Sequence, residues 1–71
     1  MILKTCEVGM FRLPGITIEA EEEEIITEEQ LKEMEEWCNS EFGTGVRMTD
    51  RLFSFRKESQ RDWFILKWSG N

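Results

Sequence analysis

Apolar and polar positions follow recognisable spacings in several stretches of the chain, and each stretch predicts an element. Ile2-Leu3-Lys4-Thr5-Cys6-Glu7-Val8 mixes apolar and β-branched residues over the length of a strand, and Gly9 ends it. Ile16-Thr17-Ile18-Glu19-Ala20 alternates, so that Ile16, Ile18 and Ala20 share one face of a second strand. Between them Leu13-Pro14-Gly15 predicts the turn of a hairpin, because proline presets the first turn dihedral and glycine accepts a positive φ.

The helix signal is sharper. Thr27 suits an N-cap, Gln30 completes a capping box, and Ile26 is placed to staple onto Leu31. Leu31, Met34, Cys38 and Phe42 recur at helical spacing with Trp37 on the flank, and Gly43 offers the left-handed conformation that stops a helix. A helix over 28–42 follows. Glu28 and Glu29 occupy its electropositive first turn, and Glu28 is spaced for an i, i+4 pair with Lys32.

After Gly43-Thr44-Gly45, residues 46–56 read as a half-buried strand, at least over 51–56, with Phe53 and Phe55 on one face. The segment 57–69 fits two states. Ser59 and Asp62 imitate a capping box, and a helix from there aligns Phe64 with Trp68 and Trp63 with Leu66. Trp63-Phe64-Ile65-Leu66 also suits a strand paired with 51–56 through a loop over 57–62, although helix is preferred. The expected fold class is α+β: a small antiparallel sheet of three to four strands packed on one main helix (28–42), with the C-terminal segment helix or strand. Leu31, Met34, Cys38, Phe42, Phe53, Phe55, Phe64, Leu66 and Trp68 are expected to form most of the core.

Length changes the picture by limiting the core. Seventy-one residues make a single domain, 1–71, and so short a chain buries only about 60% of its unfolded surface. Small domains of this kind often recruit a staple. The chain has no histidine, and Cys6 and Cys38 lack Cys-x-x-Cys spacing, so neither metal nor cofactor is expected. A Cys6–Cys38 disulfide is open to a first strand packed beside the helix, but two cysteines in a chain without a secretory signal are more often reduced. No apolar run approaches the roughly 20 residues that cross a bilayer, and the amino terminus lacks a signal-peptide core, so a cytoplasmic location is expected.

Charge is divided along the chain. Its net value is −6, yet residues 1–42 hold twelve acids against three bases, a net of −9, and residues 43–71 hold six bases against three acids, a net of +3. The acids run from Glu19 through Glu21, Glu22, Glu23 and Glu24 to Glu28, Glu29, Glu33, Glu35 and Glu36. Such a run solvates a surface, and it also suits a basic patch on a partner. It lacks the alternating Asp/Asn and central Gly of a calcium loop.

Catalysis finds little support. There is no histidine for proton transfer, no glycine-rich phosphate loop and no activated cysteine, so the chain is expected not to be an enzyme. Trp63, Phe64 and Trp68 suit either the core or an exposed anchor. Arg47, Arg51, Arg56, Lys57 and Arg61 beside Phe53 and Phe55 suit a single-strand stacking surface, which the net negative charge opposes.

The run from Phe53 to Trp68, a Phe-x-Phe strand followed by a charged turn and an apolar segment ending in tryptophan, resembles the endings of many small proteins of tailed bacteriophages. The resemblance covers residues 45–68. It implies a phage accessory protein, often one acting on a host protein, and it assigns a role to no residue. The expected function is thus non-enzymatic binding of a basic protein surface through Glu21, Glu22, Glu23, Glu24, Glu28, Glu29, Glu33 and Glu36, including inhibition by imitation of nucleic-acid phosphates. Two alternatives stand beside it: a self-assembling structural or scaffold component, given three tryptophans in a short chain, and a weak binder of single-stranded nucleic acid.

Overall fold

The computed structural model describes residues 1–69. Its elements follow in the order β1 (Ile2–Val8), β2 (Leu13–Glu19), α1 (Glu28–Phe42), β3 (Arg47–Thr49), β4 (Leu52–Ser54) and α2 (Glu58–Trp68). The strands make one antiparallel sheet in the order β1-β2-β4-β3, and side chains of both helices join those of β2 and β4 in a single core. This is the α+β architecture expected, with four strands and with the C-terminal segment helical.

β2 is the axis of the sheet. Its register with β1 sets Leu3 opposite Ile18 and Thr5 opposite Ile16, while its register with β4 sets Ile16 opposite Phe53. Opposed residues share a face, so Leu3, Ile16, Ile18 and Phe53 point to the helices. Ile16, Ile18 and Phe53 are buried, and Leu3 packs against them.

The first hairpin turns earlier than the sequence predicts. Residues 9–12 make the turn, closed by a hydrogen bond from the Arg12 amide to the Gly9 carbonyl (3.1 Å), and Leu13-Pro14-Gly15 belongs to β2. Pairing on both sides overrides the local turn propensity. The Pro14 carbonyl accepts from the Phe55 amide at 2.8 Å. The missing N–H would lie on that same side, just beyond the β2–β4 ladder, so the pairing with β1 is untouched. Gly15 is buried where a Cβ would strike a Val8 methyl and stand 2.9 Å from Cys6 Sγ and 3.2 Å from the Phe53 carbonyl. Its role there is close approach.

Residues 46–56 also differ from the expectation. They form a hairpin, β3 and β4 around Asp50 and Arg51, with an irregular register between Arg47 and Thr49. Helix α2 begins at Glu58 with Lys57 as an N-cap that makes no side-chain bond, so the Ser59 capping box does not form. Gln60 Oε1 instead accepts from the Arg56 amide at 3.0 Å. Phe64 is fully buried one helical turn from Trp68, whereas Leu66 lies on the opposite side of the helix, 70% exposed, and leaves the predicted core. Ile16, Ile18, Ile26 and Val46 are buried in addition to that set, and Phe42 and Trp68 are only partly so.

Helix α1 follows the sequence closely. The Gln30 amide donates to Thr27 Oγ1 at 3.2 Å, and the Thr27 amide donates to Gln30 Oε1 at 2.9 Å. Ile26 and Leu31 are both buried. Both cysteines are free.

Two substitutions separate these contributions, with chemical denaturation as the readout. Gly15→Ala is expected to destabilise the chain by about 1 to 3 kcal/mol through crowding between strands. Phe64→Ala is expected to cost about 3 to 5 kcal/mol through the cavity it leaves. Wild-type stability in Gly15→Ala would show that the β1–β2 contact yields freely.

Candidate protein-binding surface

The eight predicted site glutamates divide into three groups. Glu21 and Glu24 flank the amino terminus, with the Met1 ammonium 3.2 Å from Glu21 Oε2 and 2.6 Å from Glu24 Oε1. The Glu21 amide donates to Glu24 Oε1 at 2.9 Å, and the Glu24 amide donates to the Glu21 carbonyl at 2.9 Å, closing a tight turn. Glu22 and Glu23 occupy its exposed apex, where Glu23 has a φ of 68°.

Glu28 belongs to a second group. Arg47 Nη1 lies 3.2 Å from Glu28 Oε2 and 3.0 Å from Glu35 Oε1, while its Nε and Nη2 donate to the Asp50 carbonyl at 3.2 and 3.1 Å. The guanidinium side chain is only 10% exposed. It ties α1 to the turn of the β3–β4 hairpin, in the forked geometry that favours arginine over lysine. This corrects the expected Glu28–Lys32 pair: Glu28 is turned toward β3, and Arg47 captures it.

Glu29, Glu33 and Glu36 make the third group. At about 100° per residue they fall on the side of α1 directly opposite Leu31, Met34 and Cys38, and all three are exposed. Glu22, Glu23, Glu29, Glu33 and Glu36 have no ion-pair partner among the described residues. The acidic run is therefore divided in the fold: Glu21, Glu24 and Glu28 are engaged internally, and the carboxylates without a partner among the described residues lie at the turn apex and along one helix stripe.

The pKa shifts follow the same division. The hydrogen bond from the Met1 ammonium, then the backbone bond from Glu21, hold the Glu24 carboxyl below its ordinary 4.5. Arg47 lowers Glu28 in the same way, chiefly through its hydrogen bond, with Lys32 the weakest contributor. The Arg47 pKa rises in return, Glu28 being the main cause. Burial, and then the nearby Glu35 charge, push the Cys38 thiol up to about 12.

Two apolar surfaces escaped the sequence reading. Met10 and Phe11, at the apex of the first hairpin, are 91% and 86% exposed. With Leu13, Met48 and the edges of Phe42 and Phe55 they line a groove of about 360 Å³. The available signal was two large apolar residues where turns ordinarily place Gly, Asn, Asp or Ser. A second cleft lies between the helices, lined by Trp37, Glu41, Trp63, Leu66 and Lys67. The C-terminal aromatics divide: Phe64 is core, Trp68 half-buried and Trp63 about half exposed.

Among the described residues no three His, Cys, Asp or Glu side chains converge as a metal-ligand set, and no helix is long and apolar enough to cross a membrane. No protein-family model matches the chain, and neither a curated protein nor a solved structure is detectably similar to it.

Glu24 and Glu28 are more acidic when folded than when unfolded, so their contribution is complete above pH 4.5 and is lost as pH falls through their lowered folded values. The denaturation midpoint of the wild type is expected to decline in that acid window, and Arg47→Met is expected to lower it at neutral pH and flatten the decline. An unchanged slope in Arg47→Met would remove Glu28 from the acid response. Cys38, fully buried with a raised pKa, is expected to resist iodoacetamide in the folded protein and to react upon unfolding. Mass spectrometry of the labelled peptides reads this directly.

Proposed function

We propose that the chain is a non-catalytic binding protein whose α1 presents a carboxylate stripe to a local basic patch on another protein. The observation that carries this reading is the outward stripe Glu29, Glu33 and Glu36, exposed and without an ion-pair partner among the described residues, on a helix whose other first-turn acid, Glu28, is held by Arg47. Charges left unpaired on a rigid element steer a complementary surface and fix its register.

Charge density favours a patch over a long tract. From Glu29 to Glu36 the stripe rises about 10 Å along the helix. Duplex DNA carries a phosphate about every 1.7 Å of its axis, hence roughly six over the same length, twice what the stripe supplies. Imitation of an extended duplex is accordingly the weaker form of the proposal. The resemblance of residues 45–68 to phage proteins favours a host protein as the owner of the basic surface.

The test is the triple variant Glu29→Lys, Glu33→Lys, Glu36→Lys. None of these side chains packs into the core, so helical circular dichroism and thermal midpoint are expected to stay close to wild type. Proteins captured from the source cell on the immobilised wild type, and released by about 0.5 M salt, are expected to bind the variant about tenfold more weakly or worse. Equal capture by the folded variant would overturn the proposal.

A further inference from the structure

The ends of the molecule differ in chemistry. β2 runs from the first hairpin turn at residues 9–12 to the acidic turn at 21–24, and α1 returns from Glu28 to Phe42, which lines the groove beside the first turn. At about 3.3 Å per residue in β2 and 1.5 Å in α1, both elements span roughly 20 Å. The groove and the acidic turn therefore lie at opposite ends of a body whose long dimension is 35 Å.

The two ends are complementary. At the groove end Met10, Phe11, Leu13 and Met48 are exposed apolar side chains, and the cations Arg12 and Arg56 beside them have no ion-pair partner among the described residues. At the far end Glu22 and Glu23 are likewise unpaired, and Ile25 beside them is 83% exposed. One end offers an apolar groove edged by arginine. The other offers an apolar side chain following free carboxylates.

We propose that the chain associates with itself head to tail, the groove beside the 9–12 turn of one copy receiving the Glu22–Ile25 turn of the next. Ile25 fills apolar space among Met10, Phe11 and Met48, while Glu22 and Glu23 meet Arg12 and Arg56. Because the contacting surfaces differ, the contact is heterologous and leaves a free groove and a free acidic turn at the two ends of every oligomer, unless a ring closes. The interaction uses acids other than the α1 stripe, so it stands or falls separately from the binding reading.

The experiment is sedimentation velocity on the full chain and on two surface variants. Wild type is expected to show an average mass that grows with concentration up to about 1 mM, a range suited to weak association, and to shrink as salt rises. Met10→Ser with Phe11→Ser removes the groove wall, and Glu22→Lys with Ile25→Ser removes the inserted turn. Each variant alone is expected to stay monomeric. Mixed, they still hold one intact groove and one intact turn between them, so the mixture is expected to form a dimer and stop there. Circular dichroism of each variant establishes that it is folded. A monomeric wild type throughout would overturn the proposal and leave the groove to another partner. Self-association of either variant alone, or a mixture that stays monomeric, would overturn it as well.

Discussion

The fold depends on one buried ring. Phe64 is fully buried, and its centroid lies 5.1 Å from Phe53, 5.3 Å from Phe55, 6.2 Å from Trp37 and 6.4 Å from Trp68. It brings the end of the sheet, α1 and α2 into one cluster, extended by the edge-on contacts of Trp37 with Phe42 and Trp68. Aromatic side chains bury large areas with few rotatable bonds, which suits a chain too short for a deep aliphatic core. Arg61 adds a polar tie, donating from Nη1 to the Cys6 carbonyl at 3.3 Å and so joining α2 to β1.

Given that core, electrostatics decides what the surface offers. The acids adjoin one another in sequence but meet different surroundings. Those beside Arg47 or the amino terminus are consumed in holding α1 and the 21–24 turn in place, and those on the far side of α1 are exposed, with no ion-pair partner among the described residues. Their rotation about the helix axis separates the two fates.

Where the sequence was legible, the determinants were local. Thr27 and Gln30 need only a helical turn between them to reveal a capping box, and the bounds of α1 and β1 followed. Pro14 and Gly15 misled because their reasons are non-local: one sits at the end of a ladder with β4, and the other admits side chains from β1. The β3–β4 turn was hidden because Phe53 and Phe55 impose the same alternation with or without it. The outward glutamates of α1 were legible from helical spacing, whereas the capture of Glu28 by Arg47, nineteen residues away, was not. Nothing in the order of residues brings that pair together except the completed sheet.

Separating inner and outer faces of α1 has an evolutionary meaning. Leu31, Met34 and Cys38 constrain the interior, while Glu29, Glu33 and Glu36 opposite them are exposed and lie outside the core cluster. Under the proposed function, recognition and foldability are assigned to different sides of the same helix. On that proposal, substitutions at the outer positions change partner preference while the interior stays constant.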